Sequence, residues 1–329
     1  MVKQLLPRFG AACRPGSTDP LTLELVKCCI CDVDDAEPLG VGEDFEYRTS
    51  PDTFLAVRCR RCGLVYLNPR PALTELDRIY PADYHAFEFS AERYGFVYKV
   101  RCKLEASRLL DCCRGLKKDA RILDVGCGDG FHLSLLQDFG QKSWRLEGIE
   151  PNDRAVEMGR RKGLKIHQGI VQNLDLPQSS YDLAFMIATI EHVDDPTAVL
   201  RAVRALLKPG GRLVIVTDNT DTLDFQLSRT RHWGGYHFPR HWNLFNSATM
   251  AAIAQKTGLE IETLTTIISP VNWVYSIRNA LVDRQAPQWL INQFSLSSTL
   301  SLGVFTLFDQ VQQWMGRGAL MRAVLKRSH

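Results

Sequence analysis

The sequence predicts an α/β fold with a Rossmann-like nucleotide site, and three features of one stretch carry the prediction. Ile122 to Val125 reads as a buried strand that carries a carboxylate, Asp124, next to its end. Gly126, Gly128 and Gly130 then make a sharp turn, where the missing Cβ lets a ligand lie against the backbone, and Phe131 to Leu136 opens a helix. The next strand, Trp144 to Ile149, delivers Glu150 about twenty residues on, where an acid accepts hydrogen bonds from both ribose hydroxyls.

The glycine spacing narrows the class of nucleotide. A dinucleotide site uses G-x-G-x-x-G, so that the pyrophosphate meets the helix N-terminus. Here the spacing is G-x-G-x-G behind a carboxylate, which repels a pyrophosphate but can hold the ammonium of a methionine moiety. The stretch resembles motif I of the class I S-adenosylmethionine-dependent methyltransferases, with Glu150 as the ribose acid. The resemblance continues in order. Val171 to Pro177 is similar to the loop beside the adenine, Tyr181 to Ile187 to the fourth strand, Ile190 to Pro196 to the segment after it, and Leu206 to Gly211 to the turn before a fifth strand at Arg212 to Thr217. Over residues 119–267 it implies a mostly parallel doubly wound sheet with one antiparallel strand. It also implies S-adenosylmethionine held by Asp124, Gly126, Cys127, Gly128, Gly130, Glu150, Val171 and Ile187.

Composition fits one catalytic domain with attachments: 329 residues, 45% apolar, net charge +3. So small a charge lacks the basic field of a dedicated nucleic-acid binder, and no nucleic-acid partner is expected. Pro7, Arg8, Arg14, Pro15 and Gly16 break any signal-peptide core in residues 1–20. Cytoplasmic synthesis is therefore expected, and the 10 cysteines need an explanation other than disulfides.

Four of them form two knuckle-like pairs, Cys28-x-x-Cys31 and Cys59-x-x-Cys62, each able to give two thiolates to one tetrahedral zinc. About 27 residues separate the pairs, more than the usual 15 to 20, so a hairpin or loop is expected between them. Cys29 inside the first pair is a possible decoy ligand, and Cys102, Cys112 and Cys113 lie on a helical pattern as small hydrophobes. Cys59 to Pro71 resembles the N-terminal segment of a bacterial methyltransferase subgroup active on sugar, lipid or other envelope metabolites. After it, Tyr84 and a cluster of aromatics can form a lid over the cofactor or simply pack between domains.

Arg231 to Phe245 gathers three histidines, arginines and bulky aromatics in one loop containing Gly and Pro, a composition suited to an acceptor pocket. It resembles the Pro-Arg-His segment of the same subgroup, with Arg240 and His241 at matching positions. His241 is the expected general base, with Tyr236, His237 and Arg240 orienting or binding the acceptor. His192 competes with it, in a Glu-His-Val segment similar to that of quinone-biosynthesis methyltransferases. Those relatives carry another acid where this chain has Ala188, which counts against a catalytic metal formed by Glu191, His192 and Asp194.

Ser247 to Gln255 reads as a capped helix stopped by Gly258, and Leu259 to Ile267 as a strand. Between them and a last strand near Gly318 to Lys326 lies an apolar insertion with no charge between Arg284 and Asp309. Its polar interruptions argue against a spanning helix. An amphipathic pair on the membrane surface, a dimer surface and a substrate lid all remain open. The expected division is a flexible N-terminus at 1–22, a zinc-ribbon-like module at 23–70, a helical linker or lid at 71–118, and the core at 119–267 with a substrate loop at 222–247. The insertion then takes 268–316 and the final strand and tail 317–329.

Taken together, these features predict a cytoplasmic methyltransferase, peripheral on the inner face of the membrane if the insertion binds lipid. It would act on a small or lipid-, isoprenoid- or glycan-linked acceptor. An RNA or protein methyltransferase gripping its substrate through the zinc ribbon and a noncatalytic S-adenosylmethionine-binding scaffold are the rivals. Oligomeric state and the methylated atom are left open.

Overall fold

A computed structural model of the chain describes residues 19–81 and 91–328, with side chains from 102 onward in the second stretch. Tyr84 and residues 1–18 of the expected flexible N-terminus lie outside the described residues.

The chain opens with strands β1 (Leu23–Glu24), β2 (Ala36–Gly42), β3 (Phe54–Cys59), β4 (Val65–Leu67) and β5 (Arg70–Pro71), then helix α1 (Leu76–Ile79). β3 pairs antiparallel with β2 and with β4, while β1 pairs antiparallel with β5. Pro38, which has no N–H to give, sits on the edge strand β2 next to a register shift. Gly40 follows it because a Cβ there would lie 2.1 Å from the Arg229 carbonyl oxygen.

Helix α2 (Ala91–Cys112) precedes the alternation β6 (Arg121–Val125), α3 (Phe131–Phe139), β7 (Arg145–Glu150), α4 (Asp153–Arg161), β8 (Lys165–Gln168), β9 (Tyr181–Ile187), α5 (Pro196–Leu206) and β10 (Leu207–Asp218). Asn152 caps α4 by accepting the Ala155 N–H, and Asp195 caps α5 by accepting that of Ala198, with Pro196 in the first turn. Strands separated by helices of this length pair in parallel, as β8 with β7, β7 with β6, β6 with β9 and β9 with β10 do here. β6 lies between two parallel neighbours, which is why its residues from Ile122 to Val125 are all buried.

The remainder runs α6 (Leu223–Ser228), β11 (Asn243–Leu244), α7 (Ser247–Thr257), β12 (Leu259–Ile267), α8 (Val271–Asp283), α9 (Gln288–Asn292), α10 (Thr299–Trp314) and β13 (Leu320–Arg327). The seven-stranded sheet has the order β12-β13-β10-β9-β6-β7-β8. β11 joins β4 to complete a four-stranded sheet, β11-β4-β3-β2.

Two compact units result. Among the described residues, one comprises 91–217, 250–265 and 321–328, and its core sets Ile122, Leu183, Phe185 and Val214 of the sheet against Ala106 and Leu109 of α2. The other comprises residues 19–81, 218–249 and 266–320, with a core of Phe54, Trp233, Tyr236, Phe238 and Trp242.

Two of the expected acceptor residues lie within that second unit, closely bonded to it. Arg240 is fully buried, and its guanidinium donates to both carboxylate oxygens of Asp44 at 3.2 and 2.9 Å and to the Ile79 carbonyl at 2.6 Å. Tyr236 is buried as well, stacked on Phe238 with ring centroids 4.8 Å apart and donating its hydroxyl to the Arg229 carbonyl at 2.5 Å. Both groups help hold the unit together through these bonds.

Candidate active site

At the end of β6 the chain reverses through Gly126, Gly128 and Gly130, whose φ angles of +75°, +54° and +79° lie in the region side-chain-bearing residues avoid. The Gly126 and Cys127 N–H groups both donate to the Ile149 carbonyl, at 2.8 and 3.0 Å, and tie the turn to β7. At Gly126 an added Cβ would lie 2.4 Å from the Thr189 side chain. At Gly128 it would meet nothing within 4 Å, so this backbone faces open space where a ligand can lie against it.

Asp124 is buried beneath the turn. Its Oδ2 has no hydrogen bond, with His132 Nδ1 3.8 Å away. Burial, reinforced by the neighbouring Glu150 carboxylate, pushes the Asp124 carboxyl up to about 7. Glu150 accepts the Gly128 N–H and the Asn152 N–H, each at 2.9 Å, and burial raises its pKa too. Two buried acids under an open glycine backbone form an arrangement that an ammonium and a pair of ribose hydroxyls would complete. The orphaned Asp124 oxygen and the space over Gly128 therefore fit S-adenosylmethionine.

The other expected cofactor contacts belong to the same compact unit. Val171 begins a short 3-10 turn and is buried, and Ile187 ends β9 half-buried. Beyond β9, Ala188 adopts φ +50°, a strained conformation for a residue with a Cβ. The His192 N–H donates to the Thr189 carbonyl, and the buried Glu191 accepts the Thr217 hydroxyl at 2.8 Å.

In the other unit, His241 Nδ1 lies 2.8 Å from the Gly235 carbonyl oxygen and 3.3 Å from Asp218 Oδ2. A carbonyl only accepts, so in the neutral ring Nδ1 carries the proton and the lone pair falls on Nε2. Asp218 is itself held by the Asn272 amide, which donates to Oδ1 at 2.8 Å. Neither Asp218 nor Asn272 stands out from the sequence. The available signal was an acid at the carboxyl end of a strand, where open α/β sheets place ligands. His237, at φ +38°, pairs through Nδ1 with Glu46 at 2.9 Å, yet burial lowers its imidazole to about 4 and keeps it neutral. It lines a cavity of about 20 Å³ with Glu43, Phe45, Arg231 and Tyr275, room for one water.

The four expected metal ligands meet. The sulfurs of Cys28, Cys31, Cys59 and Cys62 all lie within 4.8 Å of one another, with Cys28 and Cys62 at 3.5 Å. Tetrahedral zinc at about 2.3 Å from each sulfur needs sulfurs roughly 3.8 Å apart. Each pair sits in a tight turn, closed by the Asp32 N–H on the Cys28 carbonyl and by the Gly63 N–H on that of Cys59. Cys29 points elsewhere, its thiol 3.7 Å from the Asn243 side-chain oxygen. The donor set fits a structural zinc.

Comparison with known proteins agrees with this geometry. Residues 96–264 match the family described as the methyltransferase domain. The chain belongs to that family, the class I S-adenosylmethionine-dependent methyltransferases. It is similar to an uncharacterized 37.1 kDa protein in transposon TN4556 of Streptomyces fradiae, 35% identical over 122 residues, which cover 33% of this chain and 35% of that one. It is also similar to the ubiquinone biosynthesis O-methyltransferase of Xanthomonas axonopodis pv. citri, 30% identical over 158 residues, 44% of this chain and 64% of that one. The chain thus spans about a third of the first relative and just under two thirds of the second. A solved geranyl diphosphate C-methyltransferase from Streptomyces coelicolor aligns over 71% of this chain and 78% of its own, at 15% identity and a TM-score of 0.48.

Proposed function

We propose that this protein transfers a methyl group from S-adenosylmethionine to a small acceptor or to one carried on a lipid, isoprenoid or glycan. The observation that carries the reading is Asp124, a buried carboxylate with an unsatisfied oxygen beneath an open glycine turn, beside Glu150. Likeness to a ubiquinone biosynthesis O-methyltransferase supports an isoprenoid-linked oxygen acceptor. When bound, S-adenosylmethionine supplies an electrophilic methyl open to in-line displacement. Asp124 holds the ammonium, Glu150 the ribose, and His241 takes the proton from an acceptor hydroxyl. Incubating the protein with isotopically labelled S-adenosylmethionine and a lipid or glycan extract tests this. Label should appear in a product heavier by one CH2, and its absence from every fraction would reject the reading.

Asp124→Ala and Glu150→Ala should each weaken S-adenosylmethionine binding tenfold or more, since each removes a charge-assisted hydrogen bond worth about 1.5 to 3 kcal/mol. The pH dependence has a definite sign. Burial and the Glu150 charge keep Asp124 protonated below about 7, while the ammonium needs the carboxylate, so binding there expels a proton. Affinity should fall as pH drops below that value, and Asp124→Asn should flatten the dependence. Calorimetry in two buffers of different ionisation enthalpy measures both.

The four-cysteine cluster, we further propose, holds one structural zinc. Cys59→Ser should release it and unfold the unit containing the cluster, because small metal modules draw their folding free energy from the ion. Affinity for S-adenosylmethionine, which depends on Asp124 and Glu150 in the other unit, should persist. Elemental analysis finding no metal in protein purified without chelator would refute the assignment.

A further inference from the structure

Helix α10 is built inside out. Its buried residues include Ser301, Asp309 and Gln312, all polar and all bonded to backbone. Asp309 accepts the Ser269 N–H at 2.6 Å and the Ala319 N–H at 3.1 Å, Gln312 accepts that of Leu223 at 2.6 Å, and the Ser301 hydroxyl donates to the Gln293 carbonyl. The opposite side is apolar and exposed. Leu300, Val304, Leu307, Val311 and Trp314 follow one another at alternating steps of four and three along it. Gly303, Phe308 and Met315, also exposed, widen this stripe to an arc of roughly 140° at about 100° per residue. Leu307 is 71% exposed and Trp314 77%, and Trp289 on α9 adds a third large side chain at 68%.

A surface helix ordinarily shows the reverse polarity. With an aromatic side chain counting 150 to 250 Å², the uncovered apolar surface of α9 and α10 is on the order of 1,000 Å². Typical monomers show a largest patch of roughly 300 to 600 Å².

We propose that this face docks on an anionic lipid bilayer, with α10 lying along the surface. Charge decides the occupant. From 285 to 316 the one ionisable side chain is Asp309, which is buried, while Arg284 and Arg317 at the two ends are exposed. An apolar face with no exposed acid, bracketed by cations and ending in Trp314, supplies both the insertion and the attraction to anionic headgroups. A second copy of the chain fits less well. A helix pair seals a narrow seam and places complementary charges beside it, positions that Gly303, Phe308 and Met315 occupy here. The proposal stands independently of the methyl acceptor.

Full-length protein sedimented with phosphatidylcholine vesicles, with and without phosphatidylglycerol, provides the test. Binding should require phosphatidylglycerol, and Leu307→Glu with Trp314→Glu should lower it at least tenfold. Arg284→Gln and Arg317→Gln should each lower it roughly fivefold, the effect of about 1 kcal/mol per cation. All four positions are exposed, so thermal unfolding should be unchanged, and if the double variant melts early the arginine variants decide alone. Wild-type protein that ignores the vesicles, or variants that bind as well as wild type, would overturn the proposal. A wild-type dimer that the double variant splits, without vesicle binding, would assign the face to a second copy.

Discussion

Arg240→Ala is expected to destabilise the unit containing it by about 3 to 5 kcal/mol, the cost of leaving a buried charge without its partner. The guanidinium and the Asp44 carboxylate are both fully buried. Burial alone would raise the Asp44 pKa, and Arg240 overrides it, with the Thr49 and Tyr47 N–H groups helping to hold the carboxyl below its ordinary range. In the wild type this lowered pKa contributes stability that is present above the unfolded carboxyl value of 3.8 and lost as pH falls below it. In Arg240→Ala the sign reverses. Burial then dominates, Asp44 prefers to be protonated, and the deficit relative to wild type should narrow as pH falls. Asp44→Asn combined with Arg240→Met should recover part of the loss, since no charge is then stranded. Tryptophan fluorescence during denaturation reads this unit selectively, because Trp144 alone of the six tryptophans lies outside it. If Arg240→Ala instead leaves the midpoint unchanged and weakens acceptor binding, the residue belongs to the pocket.

Arg240 also marks where local sequence stops being informative. Pro239, Arg240 and His241 read as a cluster of polar handles, and nothing nearby shows that one of them reaches an aspartate 196 residues earlier in the chain. Tyr236 is similar, since a tyrosine in a histidine-rich loop looks functional until its ring is seen stacked on Phe238. The parts that could be read were those whose physics is local. Glycines at φ above zero between a buried strand and a helix, an acid one strand on, and two Cys-x-x-Cys turns each constrain only a few adjacent residues. In α10 the sequence displays the missing charge but not the direction of the faces. Ser301, Asp309 and Gln312 would by composition alone be assigned to solvent. Asp309 and Gln312 are instead held by the backbone of Ser269 and Leu223, 40 and 89 residues away in sequence.

His241→Gln should lower turnover by roughly a hundredfold, the usual scale of a positioned base, while S-adenosylmethionine affinity stays near wild type. The Gly235 carbonyl and Asp218 both draw the proton to Nδ1, leaving Nε2 to accept one as the acceptor hydroxyl is methylated. Glutamine preserves size and polarity but cannot take up a proton at working pH. Asp218→Asn should give a smaller fall, in kcat and not in KM, because the Gly235 carbonyl still orients the ring. His192→Gln, in the other unit, is the comparison. Turnover is read as labelled methyl entering the extract acceptor, and affinity separately by calorimetry. Loss of activity in His192→Gln but not in His241→Gln would move the base to the segment after β9. Full activity in both would point to a carbon or otherwise activated acceptor, whose proton leaves without help from a protein base.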